Sequence, residues 1–338
     1  MDEFSVIIVN WNGRHLLGDC LGSLRKQTFR DFEVILVDNG SHDGSVEFVR
    51  QDFPEVEIIA LPQNLGFCGG NNEGIRRSRG EWVILLNNDT EIVPEYVEAI
   101  HRAILTFPQA GMFASKILFA DSGSIIDNCG LTVSRAGTAQ EIGRNERDVG
   151  QYDLSLQPFG PSGGAGVYRR AMLDQIGLLD EDFFCIYEDC DLAVRARLHG
   201  FPCHFVPDAV VHHKYRSTLA RRPDWQVYYA QRNIEFVYLT TMPAALILRY
   251  GALHLLYNFG SCLYFARKGL LRPFLSAKWQ VMRRLPRLWR KRRTVQRNRA
   301  VSTSEFNKLL AGNWFLNRVR KGLDATGLPA RQRYGNRT

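Results

Sequence analysis

The feature that most constrains how this 338-residue chain can fold is a rhythm in its first part. Short apolar runs recur at Val6 to Val9, Val34 to Val37, Ile58 to Leu61 and Trp82 to Leu86. Helical spacing fills the gaps: Leu16, Leu17, Cys20, Leu21 and Leu24 carry it in the first, and further helices are predicted from about Ser45 and near 70–79. Runs that are apolar throughout predict strands covered on both faces. With helices between them, they predict an α/β fold with a mostly parallel sheet. Such sheets bind ligands at the carboxyl ends of their strands, so the residues just after each strand matter most.

Three of those segments are polar: Asn10-Trp11-Asn12-Gly13, then Asp38-Asn39-Gly40-Ser41-His42-Asp43-Gly44-Ser45, then Asn87-Asn88-Asp89. Asn, Asp and Gly are also ordinary turn residues. Three such clusters on one edge of one sheet predict a shared ligand cleft. The region 110–243 reads as less regular. It holds a glycine-rich stretch, Gly160 to Gly166, a predicted helix at 170–177, and Phe183 to Asp191 leading into a helix at 191–199.

The chemistry follows from residue type. Asp89 ends a buried strand and enters the cleft from a rigid base. A single carboxylate there suits a hard divalent cation shared with substrate phosphates, Mg2+ or Mn2+. His212 and His213, after Val210-Val211, are candidates for a further ligand. Glu188, Asp189 and Asp191 place three carboxylates at a helix start. Acids there complement the helix dipole, and Asp191 fits that ordinary role. Clustered carboxylates also raise one another's pKa, which makes a usable general base.

Charge divides the chain in two. Residues 1–243 hold 22 Lys/Arg and 33 Asp/Glu, whereas 244–338 hold 21 and 2. The second segment opens with a mostly apolar stretch, 244–265, interrupted by Arg249, His254 and Asn258. In 267–299, thirteen Lys/Arg then alternate with Trp, Phe and Leu. This pattern predicts an amphipathic helical tail lying on an anionic membrane surface, against the alternative of a helix docked on the protein's own core. Nothing else in the chain suggests nucleic acid as partner. Seven scattered cysteines without a Cys-x-x-Cys pair, and an N-terminus that runs straight into a strand without a secretory leader, predict a reduced, cytoplasmic setting.

In order and spacing, Val6 to Gly13, Val37 to Ser45, Asn64 to Gly74, Leu85 to Asp89 and Tyr187 to Leu192 resemble family 2 inverting glycosyltransferases of the glycosyltransferase A fold. Within that family they resemble the rhamnosyltransferase-like bacterial group. The resemblance spans about 4–240. It implies a Rossmann-like sheet with helices on both faces as the catalytic domain (1–243), followed by the tail (244–338). It also implies metal-dependent transfer from a nucleotide-sugar donor, dTDP-rhamnose on the Asn64 to Asn72 segment, to a polyprenyl-linked glycan at the cytoplasmic face of the membrane. By the same resemblance, Asp38 contacts the nucleobase with Asn10 and Asn12 nearby, and Asn64, Asn72, Asn88 and Glu188 belong to the nucleotide-sugar pocket. Asp89 holds the metal with His212 or His213, Asp189 is the base, and Gly163, Gly164 and Ala165 line the sugar pocket. Asn87 departs from the family's Asp-x-Asp pattern, which leaves an inactive nucleotide-sugar-binding scaffold as the alternative. An oxidoreductase would need Gly-x-Gly-x-x-Gly after the first strand. A nucleotidyltransferase would need a glycine-rich basic loop there, and Asn-Trp-Asn-Gly is neither.

Overall fold

The computed structural model describes residues 3–154, 156–214 and 222–312. Four strands form the first half of the main sheet: β1 (Phe4–Asn10), β2 (Phe32–Asp38), β3 (Glu57–Ala60) and β4 (Trp82–Asn87). They lie parallel in the order β3-β2-β1-β4. Helices α1 (Arg14–Arg25), α2 (Ser45–Asp52) and α3 (Gly66–Arg77) make the connections. Because all crossovers run the same way, Asn10, Asp38 and Asn87 emerge at one edge, as the sequence predicts.

The second half is less regular, as its sequence reads. The segment 110–243 supplies β6 (Met112–Phe119), β7 (Ile126–Asn128), β10 (Ala165–Arg169), β11 (Cys203–His213) and a long helix, α7 (Pro223–Thr241). Strand β10 runs antiparallel between β4 and β6, so the sheet is parallel on one side and mixed on the other. Strand β5 (Thr90–Ile92) pairs antiparallel with β11, and β8 (Leu131–Val133) with β9 (Ala139–Glu141) makes a separate hairpin. One face of the sheet is covered by α1, α2 and α4 (Tyr96–Thr106). The other packs on α3, α5 (Arg170–Ile176), α6 (Glu188–Leu198) and α7.

The tail begins with α8 (Ala244–Arg267) and α9 (Leu271–Arg297), and α10 (Thr303–Leu309) follows. Helix α9 is not a freely lying amphipathic helix. It packs along α7, burying Phe274, Ala277, Val281 and Leu288, and turns half of its cations inward. Lys278 meets Glu235 at 2.7 Å, Arg284 meets Asp182 at 2.8 Å, and Lys291 bridges Asp180 and Asp182. Arg292 caps the α7 C-terminus through the Leu239 and Met242 carbonyls. The alternative of a helix docked on the protein's own core therefore holds for this face of α9. Among the described residues no helix is long and apolar enough to cross a membrane. The end of the expected tail, 313–338, lies outside the described residues.

Candidate active site

The polar strand ends knit into one network. Asn10 donates to Asp38 at 3.1 Å and accepts from the Asn88 side chain at 2.8 Å. The Ser41 amide donates to Asp38 at 2.8 Å, and the Ser41 hydroxyl accepts from the Asn12 amide. Asn12 Oδ1 in turn accepts from the His42 amide. Asn39 and Asn64 lock the next loop: Asn39 donates to Asn64, and Asn64 accepts from the Gly66 amide. Asn10, Asn12, Asp38, Asn64 and Asn88 thus share one edge. Asn72 stands apart. Its amide is buried and spent on Leu179 and Glu181, so it ties α3 to the segment before α6 instead of entering the cleft.

Strand pairing gives the two histidines different surroundings. The β5–β11 register sets His213 opposite Thr90, next to Asp89, and the Lys214 amide bonds the Asp89 carbonyl. His213 Nε2 lies 3.2 Å from Asp89 Oδ1, and its Nδ1 lies 2.6 Å from Asp127. His212, one residue earlier on the strand, points to the other face. Burial alone would lower the His213 pKa. The hydrogen bonds to Asp127 and Asp89 outweigh it and raise the value to about 9. Sequence reasoning missed Asp127. It sits in a short strand whose partner carboxylate and histidine are far away in sequence.

The glycine-rich loop joins this corner to the candidate base. The Asn87 amide donates to the Gly164 carbonyl at 3.0 Å, and the Gly163 amide donates to Asp189 Oδ2 at 2.9 Å. A Cβ at Gly163 would meet Glu188 Oε1 at 3.2 Å, so the loop hugs both acids. Ala165 already belongs to β10 and is buried, so only its backbone is near. Asp189 Oδ1 also accepts from the Cys190 amide. Burial pushes the Asp189 carboxyl above its ordinary value despite these bonds. Burial and then the Asp189 charge raise Glu188 to about 8, and Glu188 Oε2 has no hydrogen-bond partner among the described residues. Asp191 forms a buried pair with Arg195 at 2.8 Å, a structural role.

The backbone before these acids is strained. Phe184, Ile186 and Tyr187 have φ of 64°, 67° and 73°, the left-handed region that β-branched and bulky residues avoid. Helix α7 holds the loop in place. Asn233, fully buried, donates to the Cys185 and Ile186 carbonyls at 2.8 and 2.6 Å. Arg232 bonds the Asp182 and Phe183 carbonyls. Neither residue stood out in the sequence. The available signal was a polar triplet, Gln231-Arg232-Asn233, inside an otherwise apolar helical run.

Comparison with known proteins adds the family context. The family described as "Glycosyl transferase family 2" matches residues 5–177. In sequence, the chain is 31% identical over 240 residues to the N-acetylglucosaminyl-diphospho-decaprenol L-rhamnosyltransferase of Mycobacterium tuberculosis, covering 64% of this chain and 78% of that one. In structure, S. aureus TarS 1-349 in complex with UDP superposes with a TM-score of 0.53 at 18% identity, over 95% of this chain and 92% of that one. The mannosyltransferase PcManGT from Pyrobaculum calidifontis, in complex with GDP-Man and Mn2+, gives 0.51 at 15% identity, over 83% and 87%.

Proposed function

The chain belongs to glycosyl transferase family 2 and has the glycosyltransferase A fold, and on that footing we propose that it transfers rhamnose from dTDP-rhamnose, with inversion, to a lipid-linked glycan at a membrane surface. The observation that carries the reading is the Gly163–Gly164 loop, which bonds the end of β4 on one side and Asp189 on the other. A base and a diphosphate-binding corner joined by one rigid loop suit a single in-line displacement. The rhamnosyltransferase name of the mycobacterial relative supports the donor, and its diphospho-decaprenol acceptor supports a lipid carrier.

The donor set fits a divalent cation in part. Asp89 offers one hard oxygen. His213 is held through Nδ1 by a carboxylate, the arrangement that orients an imidazole toward a metal. Among the described residues no cluster of three His, Cys, Asp or Glu is placed to enclose an ion, so phosphate oxygens and water would complete the shell. When bound, Mg2+ or Mn2+ supplies charge neutralisation on the leaving nucleoside diphosphate. Asp189 takes the proton from the attacking hydroxyl. The Gly163 and Cys190 amides fix its two oxygens while it does so. The polar network on Asp38 and Asn10 shapes the nucleoside end of the cleft.

The membrane contact falls on faces that the core leaves open. On α8, Leu248, Leu255, Phe259 and Leu263 form a stripe at helical spacing and are 88%, 69%, 63% and 42% exposed. On α9, Leu275, Trp279, Met282 and Trp289 form a second stripe, flanked by exposed Arg272, Arg283 and Arg290. Apolar stripes with arginine borders suit the interface of an anionic leaflet, here the cytoplasmic one. Removing the tail would uncover α7, so point changes give the sounder test. Leu255→Glu with Phe259→Glu is expected to abolish co-sedimentation with phosphatidylglycerol vesicles without lowering the melting temperature. Unchanged co-sedimentation would remove the membrane reading.

The transfer reading is tested with a nucleotide-sugar panel, with and without Mg2+ or Mn2+, and a lipid-linked acceptor extract. Cation-dependent release of dTDP from dTDP-rhamnose is expected. Turnover of UDP-glucose or GDP-mannose alone would overturn the donor. Tight nucleotide binding without turnover of any sugar would favour the scaffold.

A further inference from the structure

Helix α8 is lightly anchored. Of its 24 residues, all described, only Leu246 and His254 are buried, and the residue after His254, Leu255, belongs to the outward apolar stripe. His254 is 5% exposed and makes three contacts at once. Its ring stacks on Tyr238 of α7, with centroids 3.7 Å apart and planes within 3° of parallel. Its Nε2 lies 2.9 Å from Glu235 Oε2, and its Nδ1 lies 2.8 Å from the Ala136 carbonyl. Burial alone would raise the Glu235 carboxyl, but the His254 hydrogen bond and the Lys278 and His254 charges hold it at about 2. An ionised carboxylate and a carbonyl both only accept, so the ring meets each of them as a donor.

Ala136 gives the second of these bonds its reach. It sits in the turn of the β8–β9 hairpin, and that turn is closed on itself. The Ser134 and Thr138 hydroxyls bond at 2.8 Å, and the Ser134 amide donates to the Thr138 carbonyl at 2.9 Å. At Gly137, φ is 78° and a Cβ would come within 2.4 Å of the Tyr238 ring, so the turn's backbone rests directly on that side chain. Arg135 adds a second contact to α8, with its guanidinium 5.5 Å from the centre of the Tyr250 ring. Ala311, just past α10, pairs with the same turn through Val133 and Arg135. The strands of the hairpin then wall a cavity of about 510 Å³ beside Asp189, through Leu131, Ala139 and Glu141. The Ala139 amide meets the Tyr187 hydroxyl at 3.4 Å. The Leu131 amide donates to the Gly160 carbonyl, and its carbonyl accepts from the Phe159 amide, at the head of the glycine-rich stretch.

We propose that His254 is a positioning residue that makes this wall follow α8, so that seating α8 on the leaflet sets the geometry beside Asp189. The proposal rests on the membrane and transfer readings above. The linkage is short. One ring joins α8 to a closed turn, and the three-residue strand β9 carries the turn to Tyr187 and the cavity. A surface biases the site only by favouring one placement of α8, and the His254–Ala136 bond is the contact that passes the bias on. His254 touches no reacting atom and acts through the hairpin. The nucleotide-side network on Asn10 and Asp38 lies outside this path, so the link governs turnover and not donor affinity.

The test is hydrogen exchange of the amides of 131–141, followed by mass spectrometry on the full chain with and without phosphatidylglycerol vesicles. Vesicles are expected to slow that exchange in the unsubstituted protein. In His254→Gln the amide reaches the place of Nε2 and keeps the Glu235 bond alone. Hairpin exchange is expected to speed up about fivefold, the scale of one buried hydrogen bond, and the vesicle effect to vanish while co-sedimentation persists. In His254→Asn the amide reaches the place of Nδ1, keeps the Ala136 bond, and is expected to retain the vesicle effect. In turnover, His254→Gln is expected to lower kcat severalfold with the donor KM unchanged. Tyr250→Leu, at a half-buried position, removes the Arg135 contact where folding is not at risk, and a smaller rise in exchange of the same amides is expected. Unchanged hairpin exchange in both His254→Gln and Tyr250→Leu, a vesicle effect that survives His254→Gln, or equal behaviour of the Gln and Asn variants would overturn the proposal. The readings fail separately. If the unsubstituted protein does not co-sediment, the membrane reading falls, and the exchange difference between the two His254 variants still decides the link to the hairpin. Absence of turnover with any donor removes the transfer reading and leaves the exchange result standing.

Discussion

The two halves of the cleft are built on opposite principles. On the strand-end side, Asn10, Asn12, Ser41, Asp38 and Asn88 satisfy one another, and the backbone leaves regular strands. On the α6 side, two buried acids sit together, one oxygen lacks a partner among the described residues, and three bulky residues hold left-handed dihedrals. The first half meets its own hydrogen-bonding needs locally. The second is maintained at a cost by Asn233 and Arg232 from α7, and such strain concentrates where chemistry occurs.

Substitutions can sharpen or break this contrast. The largest effect is expected from Asp189→Asn. Transfer should fall by roughly 10²–10⁴-fold, the usual contribution of a positioned base, while donor affinity stays constant. A parallel loss of nucleotide affinity would show that the two halves are not separable. Next comes Asn233→Ala. Leaving the buried Cys185 and Ile186 carbonyls without donors should cost about 1–3 kcal/mol in urea unfolding and lower kcat more than it raises the donor KM. A change in donor KM alone would place the strained loop outside catalysis. Asn10→Ala should do the reverse, weakening the nucleotide by about tenfold through loss of the Asp38 and Asn88 bonds, with kcat nearly kept. A further test concerns pH. The Glu188 carboxyl has an ordinary value of 4.5 and a folded one of about 8. Between those values the folded chain holds a proton that the unfolded chain has lost, so stability falls as pH rises through the window. Glu188→Gln should remove that slope, leaving a melting temperature above that of the unsubstituted protein at pH 8 and close to it at pH 4.5.

The same contrast explains what could be read in advance. The strand-end half was legible because its residues end or directly follow their strands: Asn10 ending β1, Asp38 ending β2, Asp89 just past β4. Local chemistry and topology coincide there. The acid pair was legible as a cluster, but its setting was not. No sequence rule predicts a left-handed Tyr187, because nothing local demands it. The demand comes from Asn233, brought in by a helix that the apolar pattern concealed. Strand β10 was hidden for a related reason. It pairs antiparallel with both β4 and β6, and its Ala-Gly-Val-Tyr-Arg run lacks the continuous apolar character of the parallel strands. His213 could be separated from His212 only once the β5–β11 register was known.

The inward cations of α9 have a geometric consequence. Lys291 and Arg284 clamp Asp180 and Asp182, a few residues before Glu188 and Asp189, while the apolar stripe of the same helix faces outward. Both belong to one helix, Leu271–Arg297, with Pro286 inside it. If the stripe rests on a surface as proposed, the distance from that surface to the acids is set by a folded helix and not by the slack of a tether.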